Sequence, residues 1–164
     1  MSRICLLDLN YTLVSNQAST RTIRPFTARM DAEEYRLDLI EAIRDDYVII
    51  VTARPDYQQR QTMQNVWKKT GWRPDECYFN DINAAPPVYK ESALRRFIFP
   101  QHGSDGSAFY AVESNPKTRE MYAKYGIEAA PYDQFIRRLG MQPVGAGARG
   151  FAPPQESFAQ LSMF

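Results

Sequence analysis

Apolar runs and helix-period stretches alternate along the chain. Residues 3–9 (RICLLDL) form a continuous apolar run ending beside a carboxylate. A run without polar alternation suits a strand buried on both faces of a parallel sheet. Asp31 followed by Glu34 has the form of a capping box and predicts a helix on which Leu37, Ile40 and Ile43 share a face. A second apolar run, residues 47–52 (YVIIVT), predicts the next strand. Asp56 is expected to cap a helix carrying Met63, Val66 and Trp67, with Gly71 at its end. Residues 76–79 (ECYF) read as a short third strand, and a loop with Pro86 and Pro87 then leads to Lys90. From Lys90, the positions of Leu94, Phe97 and Ile98 predict a helix that stops at Pro100. Residues 101–107 read as loop and residues 108–112 (AFYAV) as a fourth strand. Ser114 or Asn115 is placed to cap a helix with Pro116 in its first turn and Gly126 beyond its end. Residues 127–130 and 132–139 suggest a fifth strand and a last helix, closed by Gly140.

Strands alternating with helices predict a parallel α/β sheet with right-handed crossovers and helices on both faces. Ligands of such sheets bind beyond the carboxyl ends of the strands. Asp8, Thr52 and Glu113 fall at three of those ends, and Lys90 follows the third strand.

Composition narrows the class. The chain has 164 residues, of which 44% are hydrophobic and 24% charged, which fits one folded domain and excludes disordered or collagen-like chains. Its net charge of +1 gives no overall field toward a phosphate polymer or an anionic membrane. No apolar stretch approaches the length of about 18 residues that spans a bilayer, and the first residues lack the layout of a signal peptide, so a cytoplasmic location is expected. Cys5 and Cys77 are expected to be free thiols packed as small hydrophobes. From residue 141 the composition shifts to Gly, Pro and Ala, so the expected division is a domain over 1–140, a linker over 141–159 and a terminal peptide, 160–164.

Four spaced motifs carry a resemblance to the haloacid-dehalogenase-like (HAD) hydrolases. Asp8-Leu9-Asn10-Tyr11-Thr12 stands where that family has Asp-x-Asp-x-Thr, and Thr52 ends the second strand, followed by Ala53-Arg54-Pro55. Lys90 matches the third motif, and Glu113-Ser114-Asn115-Pro116 matches the acidic fourth motif less fully. The resemblance implies a Rossmann-like HAD fold over residues 3 to about 140. It also implies Asp8 as nucleophile toward a phosphoryl group, with Thr52 and Lys90 as catalytic neighbours. A carboxylate attacking an anion needs cations. Lys90 supplies one; Mg²⁺, held by Asp8, Glu113 and the Asn10 carbonyl, is the expected other. Thr12, Arg54, Ser114 and Asn115 are candidate substrate contacts, Arg54 as a bidentate phosphate clamp.

Two departures bear on activity. In the family the second Asp of the first motif is the general acid and base; Asn10 exchanges no proton near neutral pH, a loss of roughly a hundred- to ten-thousand-fold. Ser114 leaves the fourth motif with one carboxylate fewer than many phosphatases have. The Ser114-Asn115 pair resembles the metal-free dehalogenating branch, which however carries Tyr at position 10. Two function classes therefore stand: a slow Mg²⁺-dependent phosphatase, or a HAD-fold binding protein that has lost turnover.

Forty-four positions separate Asp8 from Thr52, read as a polar loop and one helix, and 23 separate Lys90 from Glu113, so no large cap domain fits. An open site suits a macromolecular end, and the chain resembles the 3′-phosphatase domain of phage polynucleotide kinase/phosphatases, including Trp67-Lys68-Lys69 after the second motif. Lys68 and Lys69 read more simply as a solvated helix face, and His102 is given no role. The last residues, Gln160-Leu161-Ser162-Met163-Phe164, resemble a bacterial sliding-clamp binding motif. In it Gln160 is a polar contact and Leu161, Met163 and Phe164 are apolar anchors.

Overall fold

The computed structural model describes residues 3–143. The expected linker from residue 144 onward and the terminal motif 160–164 lie outside the described residues. Five parallel strands form one sheet in the order β3-β2-β1-β4-β5: β1 Ile4–Leu7, β2 Tyr47–Pro55, β3 Glu76–Asn80, β4 Phe109–Val112 and β5 Glu128–Ala130. Leu7 pairs with Ile50 on one side and Val112 on the other. Asp8 N–H continues the ladder to Val112 O at 3.0 Å and Glu113 N–H to Ala130 O at 2.9 Å, so Asp8 and Glu113 leave the sheet side by side.

The helices are α1 Gln17–Thr20, α2 Phe26–Asp31, α3 Leu37–Ile43, α4 Gln59–Thr70, α5 Pro86–Ala93, α6 Phe99–His102, α7 Pro116–Lys124 and α8 Tyr132–Arg138. Successive β1 side chains point to opposite faces, which divides the core in two. Cys5 and Leu7 join α3, α4 and α8 through Leu39, Ile43, Val66 and Ile136. Leu6 joins α5 and α7 through Tyr89, Ala93, Met121 and Tyr122. Both cysteines are free thiols.

Several local expectations fail, each for a physical reason. Asp31 does not start a helix: it ends α2, and its carboxylate accepts from Gln61 Nε2 and Asn65 Nδ2, both at 3.0 Å, which docks α2 on α4. The following helix, α3, begins at Leu37 without a side-chain cap, and Leu37 is exposed while Leu39, Ile40 and Ile43 are buried. Asp56 makes no side-chain cap either; it opens a short 3-10 turn before α4. Gly71 does end α4, in the left-handed conformation at φ 70° that favours glycine. Lys90 is not a helix start: Pro86 and Pro87 occupy the first turn of α5, where a missing N–H costs nothing, and Lys90 lies further in. Nor does Pro100 stop the helix, because the chain turns through a wide π turn at Leu94–Ile98 and Pro100 then falls in the first turn of α6. Gln101 and His102, expected in loop, belong to α6. The polar stretch after Asp8 contains α1 and α2, too short and too poor in apolar spacing to be read as helices. Met141, expected in the linker, packs against the core.

Candidate active site

The turn leaving β1 sets the site. Asn10 has φ −67° and ψ 132°, and Tyr11 has φ 62°, a left-handed conformation rare for an aromatic residue. That reversal brings Thr12 back under Asp8: Thr12 Oγ1 donates to Asp8 Oδ2 at 2.7 Å. Ser114, just past β4, donates to the same oxygen through its backbone N–H at 3.2 Å and its hydroxyl at 2.8 Å. Lys90 reaches in from α5 and bridges two carboxylates, Asp8 Oδ1 at 2.9 Å and Glu113 Oε1 at 2.7 Å. Glu113 Oε2 accepts from Asn115 N–H at 3.1 Å. All three charged groups are buried.

Burial pushes the Asp8 carboxyl pKa up, but the Lys90 charge and the bonds from Lys90, Thr12 and Ser114 outweigh it, and the net shift is downward. Asp8 is an ionised, oriented carboxylate. Burial works against the Lys90 ammonium, and its two anionic partners prevail and raise it. Glu113 behaves differently: burial and the neighbouring Asp8 charge push it up to about 8, against the opposing pull of Lys90.

Position 10 is held by a second buried cluster. Arg54, near the end of β2, grips Asn10 Oδ1 through Nε at 3.0 Å and Nη2 at 2.9 Å. Its Nη1 donates to Thr62 Oγ1 on α4 at 3.1 Å, and its Nη2 is ion-paired with Glu33. Glu33 follows α2 and is fully buried; Lys69 of α4 donates to its backbone carbonyl and to that of Asp31. Arg54, expected as a phosphate clamp, thus directs its fork at Asn10 and Glu33. Lys69, expected on a solvated face, ties α4 to the end of α2.

Thr52 lies at the same end of the sheet, its hydroxyl accepting from Arg54 N–H at 3.2 Å. Asn115, expected as a substrate contact, caps α7: its Oδ1 accepts from Lys117 N–H at 2.9 Å and Thr118 N–H at 3.4 Å. The amide nitrogens of Asn10 and Asn115 are both buried and have no hydrogen-bond partner among the described residues. Two buried amide donors are thus left without a partner on residues close in the chain to Asp8 and Glu113.

The oxygens expected to hold a metal converge in part. Asp8 Oδ2 and the Asn10 carbonyl both lie within reach of the Ser114 hydroxyl, at 2.8 and 3.2 Å. A carboxylate, a carbonyl and a hydroxyl are hard oxygen donors of the kind Mg²⁺ takes with several waters. Glu113 instead turns to Lys90 and the Asn115 N–H. No cluster of three or more His, Cys, Asp or Glu side chains suited to a metal occurs among the described residues.

Sequence reasoning missed Glu33 and Thr62 in this assembly. Glu33 stands beside exposed Glu34 with no apolar periodicity to separate the two, so nothing in the sequence signals its burial.

No protein-family model and no curated protein matches the chain. Among solved structures, it is similar to one described as the Pnkp1/Rnl/Hen1 RNA repair complex, with 14% identity over 79% of this chain and a TM-score of 0.61. The match spans only 42% of that longer chain. A phosphoserine phosphatase in apo form is similar at 13% identity over 80% of this chain and 94% of that one, with a TM-score of 0.48. The chain shares with the repair-complex structure a five-stranded parallel α/β fold, with the expected motif positions gathered at the carboxyl end of the sheet and no inserted cap domain among the described residues. No helix among the described residues is long and apolar enough to cross a membrane.

Proposed function

We propose that this protein is a phosphohydrolase that acts on a nucleic-acid end or a nucleotide through an aspartyl-phosphate formed on Asp8. The observation that carries the reading is the geometry around Asp8. A buried carboxylate is kept ionised and oriented by Thr12, Ser114 and Lys90. Asp8 supplies the attacking oxygen, Lys90 offsets the charge that collects on the transferred group, and Thr52 and Ser114 are its neutral hydrogen-bonding neighbours. Asp8, the Asn10 carbonyl and Ser114 would hold Mg²⁺, with Glu113 behind Lys90, and the bound ion would supply further charge neutralisation. The likeness to the RNA repair assembly and the absence of an inserted cap domain among the described residues favour a nucleic-acid end or nucleotide.

The test is phosphate release in Mg²⁺ from 3′-phosphorylated oligonucleotides and from nucleotides, comparing the native chain with Asp8→Ala. Release by the native chain and only background from the variant is expected; equal rates would remove the enzyme reading. Asn10 favours a second reading, a binding protein of the same fold without turnover. In either case residues 160–164 are proposed to dock a replication sliding clamp, so that DNA is reached through a partner and not through a basic surface. Deleting residues 160–164 is expected to abolish capture on immobilised clamp while leaving the melting transition in place; unchanged capture refutes the tether.

A further inference from the structure

Resting on the phosphohydrolase reading, we propose that Arg54 and Glu33 fix Asn10 as a non-titrating donor, and that the site therefore selects phosphoryl groups whose leaving oxygen departs without a proton. These are the terminal phosphates of nucleoside polyphosphates or of 5′-polyphosphorylated nucleic-acid ends, in preference to phosphate monoesters.

The orientation of Asn10 follows from chemistry. A guanidinium only donates, so the Asn10 atom that meets two Arg54 nitrogens at 3.0 and 2.9 Å is the amide oxygen. The amide nitrogen faces away from Arg54 and is buried with no partner among the described residues. Arg54 is itself anchored by Glu33 and Thr62, both buried, so turning the amide over would leave its buried charge facing an NH₂ group. Asn10 presents a hydrogen bond and no transferable proton.

The other groups around Asp8 do not replace it. Thr12 and Ser114 are hydroxyls, and Lys90 holds its proton between two carboxylates. Glu113 keeps its proton up to about 8, but one of its oxygens faces that ammonium and the other the Asn115 N–H, so the proton is not presented to a leaving oxygen. A monoester must expel a strongly basic alkoxide, for which a proton donor is worth roughly a hundred- to ten-thousand-fold. A phosphoanhydride expels a weakly basic phosphate oxygen that needs only charge stabilisation.

In the first step an Asp8 oxygen bonds to the terminal phosphorus as the bridging P–O bond breaks, and the bridging oxygen takes the electron pair and leaves as a phosphate oxyanion without a proton. In the second, water adds to phosphorus, the Asp8 O–P bond breaks with its pair returned to the carboxylate, and the water proton is taken up by the released phosphate. Nothing at position 10 assists the water, so the phosphorylated Asp8 persists long enough to accumulate.

The experiment compares a nucleoside triphosphate and a 5′-triphosphorylated oligonucleotide with a nucleoside monophosphate and a 3′-phosphorylated oligonucleotide, using the full native chain and Asn10→Asp. The native chain is expected to release terminal phosphate from the triphosphates about 100-fold faster or more than from the esters. Asn10→Asp should raise the ester rates preferentially. Arg54→Lys, which keeps the charge and loses the fork, should narrow the anhydride-to-ester ratio, a quantity that a merely structural role leaves unchanged. The faster of the two triphosphates identifies the source. Ester rates equal to the anhydride rates, or an equal gain on both classes in Asn10→Asp, overturn the selectivity while leaving the phosphohydrolase reading intact. No turnover of any of the four substrates by either protein overturns both.

Discussion

At the scale of single residues, the site is a balance of three buried charges, two carboxylates and one ammonium. Glu113 bears the cost of that imbalance, and its raised pKa makes the balance measurable. In buffer with chelator, both folded and unfolded chains hold the Glu113 proton below its ordinary value of 4.5. Between 4.5 and about 8 the unfolded chain releases that proton and the folded chain keeps it, so the native state binds more protons and stability from this group falls as pH rises through the window. Above about 8 the loss is complete. Glu113→Gln is expected to flatten this part of the pH–stability curve, as followed by urea denaturation at several pH values; an unaltered slope contradicts the assignment. The lowered Asp8 works in the opposite sense, adding stability above its usual carboxylate range that is lost as acid protonates it. Asp8, Thr52, Glu113 and Lys90 were readable in the sequence because each of the first three closes or follows an apolar run, where a charged or hydroxyl side chain stands out, although β2 itself continues past Thr52 to Pro55. Glu33 and the true role of Arg54 were not readable, because their partners are far apart in the chain and only packing of α2 on α4 unites them.

At the scale of elements, the boundaries that hold the site are local and testable. Asn115 caps α7 with its side chain while its N–H holds Glu113, so Asn115→Ala should cost about 0.5–2 kcal/mol through the cap, measured by thermal melting. Ahead of β4, Gly106 lies against the turn at Gly126: a Cβ there would sit 2.1 Å from the Tyr125 carbonyl oxygen and 2.6 Å from the Gly126 carbonyl carbon. Both neighbours are backbone, so Gly106→Ala is expected to destabilise by about 1–3 kcal/mol or more; a neutral result would contradict that packing. Strands were foreseeable from their apolar runs, and the cap of α7 was narrowed to Ser114 or Asn115 by Pro116 in the first turn, with Asn115 the one that caps. Helix starts were less so, since proline both breaks and begins helices: Pro86 and Pro100 each lie in a first turn, which moved the start of α5 and the end of the helical stretch away from the simplest reading.

For the whole molecule, the sheet is shared by two apolar layers, and adjacent residues of β1 feed opposite ones. Both layers are continuous through β1, β2 and β4, so the described domain is expected to unfold as one unit. Trp72 packs against one layer and Trp67 sits on α4 nearby, half exposed, so their fluorescence reports that side while far-UV circular dichroism reports all elements. Coincident denaturant transitions are expected; separated ones would contradict a single cooperative core. Leu7→Ala, removing a side chain with no exposure at the centre of the sheet, should cost about 2–5 kcal/mol. The scaffold thus fixes where Asp8 stands, and chemistry at Asp8 is the central claim. Its most direct test is mass spectrometry of the acid-quenched chain after mixing with a nucleoside triphosphate and Mg²⁺. A phosphoryl adduct on the peptide bearing Asp8, absent from Asp8→Asn, is the result predicted. Terminal phosphate released at the same rate by native chain and Asp8→Asn, with no adduct on that peptide, would contradict it.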